Sequence, residues 1–230
     1  MSLILNIDAS VETATVSLAE NGNVLFTIKN QDQKDHAAFL HNAINDIIKK
    51  SSYKLKQLSA IAVINGPGSY TGLRVAMASA KGLCYALNKP FITLDSLSVM
   101  ANAVIGLQET ESDNLLYCPL IDARRMEVYT ALFNGQLEAL IKPMSLILNE
   151  NSFKDILEAN KVCFFGNGSA KFQAVLSNIN ASFVNLPDLA NSISRLSFEH
   201  YSAKKFTDLV DSEPLYVKDF HSSPDFSNKK

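Results

Sequence analysis

The run Asn65-Gly66-Pro67-Gly68-Ser69-Tyr70-Thr71-Gly72-Leu73-Arg74 places three of the chain's nine glycines within a single turn-forming stretch. An apolar run, 61–64, leads into it, and a longer run rich in small residues, 75–87, leads out. That order reads as strand, glycine turn, helix. Gly66 and Gly68 can take positive φ, Pro67 fixes the backbone between them, and Ser69 or Thr71 can cap the helix that follows. Such a loop presents backbone N–H groups at a helix start, where an anion can sit or another chain can come close.

Towards the N-terminus, 3–7 is a short apolar strand ending in Asp8-Ala9-Ser10, and 13–19 is a β-branched second strand. Asn21-Gly22-Asn23 is a hairpin turn into a third strand, 24–28. A helix then follows, with Phe39, Leu40, Ala43, Ile44, Ile47 and Ile48 in one apolar stripe. Asp35 is its expected N-cap, and Lys49 and Lys50 suit the negative end of its dipole. After the glycine turn and second helix come a strand at 91–94, ending at Asp95, and a helix at 97–107.

The order so far is βββαβαβα, and the second half repeats it. Strands are expected at 115–121, 127–133 and 137–141, then a helix at 152–160 and a strand at 162–165. A helix at 170–178, a weak strand at 182–185 and a long helix at 188–205 complete the series. Two echoes fall at equivalent points: Ile7-Asp8-Ala9 against Ile121-Asp122-Ala123, and Gly66-Pro67-Gly68-Ser69 against Gly166-Asn167-Gly168-Ser169. The expected fold is α/β with two duplicated lobes built on mixed sheets. The first lobe spans 1–107, completed by part of 200–230, and the second spans 108–205. The polar connection 109–114 is expected to be mobile.

With 230 residues and 47% hydrophobic composition, the chain can bury a sizeable core. A net charge of −2 argues against a stand-alone nucleic-acid binder. Cys84, Cys118 and Cys163 all sit in apolar runs; their odd number and wide spacing fit reduced, buried thiols in a cytoplasmic protein. The opening 1–8 lacks a basic flank and reads as a first strand, not a signal peptide. No apolar run approaches the ~20 residues needed to cross a membrane.

Several residues invite chemical readings. Asp8 and Asp122 end equivalent strands, so they could face each other and hold a hydrated metal on a nucleotide phosphate. The alternative is that each carboxylate caps its own turn, which the lack of glycines after either one favours. His36 and His41 are spaced off one helical face, so no metal site is expected there. Ser69 lacks the Gly-x-Ser-x-Gly setting of a nucleophile elbow, and the glycine loop lacks the Gly-Lys-Ser/Thr ending of a P-loop. A dinucleotide-dependent oxidoreductase, with Asp95 on the ribose, would need the loop after the first strand of a parallel unit. The second helix is the sharper clue. Gly72, Ala76, Ala78, Ser79, Ala80, Gly82 and Ala86 make it small-sided, with only Arg74 and Lys81 as charges. A helix apolar nearly all round must be covered nearly all round, either by the other lobe or by a second subunit.

Four stretches, in order, resemble the bacterial TsaB (YeaZ) family. They are 65–74, with Tyr70 where phenylalanine is usual; Ile7-Asp8-Ala9-Ser10; Ile121-Asp122-Ala123-Arg124-Arg125-Met126-Glu127-Val128-Tyr129; and Pro214-Leu215-Tyr216-Val217-Lys218, with lysine in place of arginine. The resemblance implies a two-lobe actin/Hsp70-like ATPase fold and a non-catalytic scaffold role in tRNA modification. By that resemblance the chain pairs with the paralogous TsaD subunit, which carries threonylcarbamoyl to N6 of adenosine 37 in tRNA. The small ATPase TsaE joins the pair, tRNA is met only through the complex, and the chain alone forms a homodimer. The stretch 95–100 places Ser96 and Met100 where TsaD carries its metal-binding histidines, so no metal and no catalytic residue is expected.

The residues expected to meet TsaD are Phe39, Gly72, Leu73, Arg74, Ala76, Met77, Ala80, Lys81 and Leu83. Asp8, Gly66, Gly68, Ser69 and Arg74 are the candidate contacts to a nucleotide or phosphate, and a nucleotide at the partner interface stays open as the one cofactor. The competing readings are an ATP-binding or ATP-hydrolysing enzyme of the same fold, which needs a phosphate hairpin this chain lacks, and the dinucleotide enzyme.

Overall fold

Strand β1 (Leu3–Asp8) is buried along its whole length, as a strand covered on both faces must be. It is the middle strand of a five-stranded sheet. It runs antiparallel to β2 (Ala14–Glu20), which pairs with β3 (Asn23–Asn30) through a turn where Asn21 and Gly22 both take positive φ. On its other side β1 runs parallel to β4 (Ala60–Gly66), and β4 to β5 (Phe91–Asp95). The first sheet therefore has the order β3-β2-β1-β4-β5. This computed structural model describes residues 1–30, 36–107 and 114–218. Asp35 and most of the 109–114 connection, for which a cap and mobility are expected, lie outside them.

The second half repeats the plan. Strand β6 (Leu115–Asp122) lies between antiparallel β7 (Glu127–Phe133) and parallel β9 (Lys161–Phe165), with β8 (Ala139–Ile147) and β10 (Ala181–Val184) at the edges. Its order, β10-β9-β6-β7-β8, is strand for strand that of the first sheet. The strand expected at 137–141 begins later and runs on through Pro143, which an edge position tolerates because no ladder hydrogen bond is lost there.

Helices α1 (His36–Lys50) and α2 (Tyr70–Leu87) cover one face of the first sheet. Short helices α4 (Lys154–Ala159) and α5 (Ser169–Gln173) cover the outer face of the second. The remaining two helices are exchanged. Helix α3 (Ser96–Ile105) comes from the first half, yet it lays Leu97, Met100, Ala101 and Val104 on the second sheet. Helix α6 (Ala190–Ser202) comes from the second half and lays Ile193 and Leu196 on the first sheet. The sequence reading assigns 188–205 to the second lobe; in the structure α6 packs on the first. The two helices meet through buried polar groups: Asn102 donates to Ser192 Oγ at 2.8 Å, and that hydroxyl donates to Val99 O at 2.7 Å.

Candidate docking face and interlobe cleft

The glycine loop is shaped by what lies against it. Gly66 takes φ +117, and a Cβ there would stand 2.9 Å from Leu215 O. A Cβ on Gly68 would stand 2.2 Å from Ser10 O, and one on Gly72 would stand 2.0 Å from Ala9 O. Ser69 N donates to Ser10 O at 2.7 Å, while the Ser69 hydroxyl accepts from Gly72 N at 3.3 Å and caps α2. The chain's own turn after β1 therefore fills the hollow of the loop. Of the expected phosphate contacts, Gly68 and Ser69 meet this turn, while Gly66 meets Leu215 and Leu73. Asp8 is 3% exposed, and its carboxylate accepts from Ser10 N at 2.8 Å and Ser10 Oγ at 2.7 Å. Capping is what this carboxylate does. Asp95 likewise accepts from Leu97 N and Ser98 N at the start of α3, which removes the ribose role of the dinucleotide reading.

Across from this loop lies the turn between β6 and β7, where Arg124 and Arg125 take φ of 75 and 50. Left-handed backbone is costly for such residues, so something must hold it. Lys171, from α5, does so: its ammonium donates to Asp122 Oδ1 at 2.6 Å, to Arg125 O at 2.9 Å and to Glu127 O. The hydrogen bond from Lys171 holds the Asp122 carboxyl below its usual value of 3.8, against the opposing effect of desolvation. A depressed carboxyl adds stability that is present above the unfolded value and is lost as pH falls through the folded one. Lys171→Met should therefore raise the Asp122 titration midpoint, read by carboxyl NMR, and remove its part of the acid-side stability loss.

Asn167 bridges the two sides, donating to Glu12 Oε1 at 2.5 Å and accepting from Asp122 N at 2.8 Å. Between them lies a cleft of about 490 Å³, lined by Ser10, Glu12, Ser69, Thr71, Asp122 and Arg124 among others. Among the described residues no group of three or more His, Cys, Asp or Glu side chains is placed to hold a metal. Ser96 gives its hydroxyl to Pro67 O at 2.6 Å, and Met100 is core at 1% exposure. Burial pushes the Cys84 and Cys118 thiols up to about 12, so neither is a nucleophile near neutral pH.

Helix α2 shows two faces. Gly72, Leu73, Ala76, Met77, Ala80 and Cys84 are buried within this chain. Five of these six are residues the sequence reading gives to the partner, and their burial corrects it: they face the first sheet and α1 and cannot also face another subunit. Lys81, partly exposed, has partners within this chain. Its ammonium donates to Val210 O at 3.2 Å and Ser212 O at 2.8 Å, fastening the C-terminal segment along one flank of α2. Phe39 and Leu83 are half-buried against the same core, and Arg74 is exposed. The outward stripe is instead Thr71, Arg74, Ala78, Gly82, Tyr85 and Ala86. Nothing lies within 4 Å of a Cβ built on Gly82, and Tyr85 is 84% exposed. This stripe was within reach of the sequence: Arg74, Ala78, Gly82 and Ala86 recur at i+4, opposite Leu73, Ala76, Met77, Ala80 and Cys84.

The four stretches that carry the family resemblance meet here, because 206–218 threads past both lobes. Thr207 N donates to Phe91 O at 2.8 Å and Leu215 N to Asn65 O at 2.7 Å. Tyr216 packs on Tyr70 with ring centroids 5.6 Å apart, and Arg74 lies over the Tyr70 ring at 5.0 Å and donates to its hydroxyl. Lys218 then donates to both Glu127 carboxylate oxygens, at 2.9 and 2.7 Å. Both departures from the family pattern, Tyr70 and Lys218, thus have partners. Sequence reasoning gave neither Tyr216 nor Lys218 a role, since their partners lie far away in the chain.

The family model described as "TsaD: tRNA N6-adenosine threonylcarbamoyltransferase" matches residues 24–215. The chain is 28% identical over 211 residues to a protein of Buchnera aphidicola subsp. Baizongia pistaciae, named tRNA threonylcarbamoyladenosine biosynthesis protein TsaB. That match covers 89% of this chain and 93% of the relative. Among solved structures, YeaZ from Pseudomonas aeruginosa superposes with a TM-score of 0.76 at 24% identity, covering 94% of this chain and all of that one. An inorganic polyphosphate/ATP-glucomannokinase from Arthrobacter sp. strain KM superposes with a TM-score of 0.51 at 8% identity, over 86% of this chain and 99% of its own. The fold is the two-lobe actin/Hsp70-like one.

Proposed function

Because the chain belongs to the family described as TsaD: tRNA N6-adenosine threonylcarbamoyltransferase, on its TsaB (YeaZ) branch, we propose that it is a non-catalytic subunit of that modification. It pairs with a TsaD-type transferase that acts on adenosine 37 of tRNA. The observation that carries the reading is the outward stripe of α2, where Ala78, Gly82 and Ala86 leave a helix surface uncovered by any described residue of this chain. Small residues at i+4 let a second helix approach closely, and Arg74 and Tyr85 flank the seam as polar and aromatic anchors. Arg74, Phe39 and Leu83 keep their proposed place at this face. A homodimer through the same stripe, recruitment of TsaE and a cytoplasmic location complete the reading. No helix among the described residues is long and apolar enough to cross a membrane.

Support for a non-catalytic role comes from the side chains themselves. The glycine hollow is filled by Ala9 and Ser10, the metal-histidine positions hold Ser96 and Met100, and the thiols are buried. The test is reconstitution of the tRNA modification. The pure chain should give no transfer, and a TsaD-type subunit should depend on it for its full rate. Transfer by the pure chain, or a partner rate unchanged by its omission, would refute the proposal.

A further inference from the structure

We infer that residues 214–218 are a latch that ties the two lobes together and holds the start of α2 in its docking form. One end is fixed to the first sheet: Leu215 N donates to Asn65 O at 2.7 Å, and Leu215 O and Cβ lie 2.9 and 3.7 Å from where a Cβ on Gly66 would stand. Tyr216 then packs on Tyr70, the first residue of α2. Two residues further on, Lys218 is fixed to the second sheet by its paired hydrogen bonds to Glu127, at the first position of β7. Four residues of chain thus span from the glycine loop of one lobe to a strand of the other. The Asn167–Glu12 hydrogen bond crosses the cleft as a second tie.

The position of the latch gives it a consequence beyond holding the cleft. Tyr70 is gripped from two sides, by the Tyr216 ring and by Arg74, which lies over its face and bonds its hydroxyl. Arg74 belongs to the outward stripe. Opening the latch therefore takes the Tyr216 ring off Tyr70 and loosens the ring on which Arg74 rests at the docking face. By reciprocity, a partner that fixes Arg74 favours the latched state. This link to docking rests on the reading of α2 given above; the latch itself does not.

Hydrogen exchange read by mass spectrometry on the full chain tests it, because each anchor can be broken and the effect followed on the opposite lobe. Lys218→Glu breaks the tie to the second sheet, and Tyr216→Ala breaks the packing on the first. The Lys218 side chain is 43% exposed and Tyr216 as a residue 38%, so both variants keep the fold, which an unchanged far-UV spectrum checks. Lys218→Glu should speed exchange in 66–74, and Tyr216→Ala should speed it in 121–129, each by about two- to fivefold, the scale of a partly exposed contact. Wild-type exchange at 66–74 in Lys218→Glu, or at 121–129 in Tyr216→Ala, would overturn the latch. Neither readout needs a partner, so a failed latch leaves the docking reading standing, and a failed reconstitution leaves the latch standing.

Discussion

Gly82→Arg is expected to weaken binding of a TsaD-type subunit at least about 100-fold, or ~2.7 kcal/mol, while the free chain melts no lower than wild type. The position is open in the monomer, with nothing within 4 Å of an added Cβ, so the folded chain has no clash to relieve. An exposed helix interior gains about 0.8–1 kcal/mol when glycine is replaced by a good helix former, so the melting temperature should rise by about 2–4 °C. In the complex the same side chain would stand in the closest part of a helix-on-helix seam. There it forces the axes apart and strips water from an unpaired guanidinium, and each effect costs about 1–3 kcal/mol or more. Ala80→Arg is the control that fixes the orientation. Ala80 is fully buried against this chain's own core, so arginine there should unfold the monomer and not merely unpair it. Calorimetric titration with the partner, beside melting curves of each variant, separates the two. Full-strength binding by Gly82→Arg would remove the outward stripe from the interface.

Gly72→Ala is expected to lower the melting temperature by about 6–12 °C, the counterpart of roughly 3 kcal/mol in a chain of this size. Its Cβ would stand 2.0 Å from Ala9 O and 3.1 Å from Ala9 C. Those are backbone atoms at the end of the central strand, which cannot swing aside as the tip of a long side chain can. The loop and the β1 end would have to part by more than an ångström, and the Ser69–Ser10 hydrogen bond beside them would stretch. Gly82→Ala, ten residues along the same helix, makes the identical chemical change and should stabilise by about 0.5–1 kcal/mol. Opposite signs from one substitution in one helix would show that Gly72 is there for close approach. Equal effects would refute that account.

Much of this architecture was legible from local chemistry. Apolar runs, the Asn21-Gly22 turn and the repeat of Ile-Asp-Ala marked the strands of both halves and their repeated succession, because strand and turn signals act over a few residues, whereas the order of strands within the second sheet rests on pairings distant in the chain. Ser69 was legible as a cap for the same reason. The purpose of the glycines was not. Gly68 and Gly72 announce that something comes within backbone distance, but a phosphate and the chain's own Ser10 require the same absence of a side chain. Likewise the small residues of α2 announced close packing without saying on which side. The inward set meets its own sheet, and only the i+4 phase of Arg74, Ala78 and Gly82 marks the outward one. Least legible were long-range pairings such as Lys218 with Glu127, Lys81 with Val210, and α6 with the first sheet, where nothing nearby in sequence reports the partner.

The crossing of α3 and α6 between the sheets bears on how the chain is made. Neither half of the gene encodes a self-sufficient folding unit, because each sheet is finished by a helix the other half supplies. The first five strands leave the ribosome with one apolar face covered only in part, by Val99 of α3, and the cover is incomplete until Ile193 and Leu196 emerge. At about 5–20 residues per second that is a wait of roughly 5–20 s, during which the nascent chain is a natural client for chaperones. A stop codon anywhere before α6 would thus spoil the first sheet, although every strand of it had already been translated.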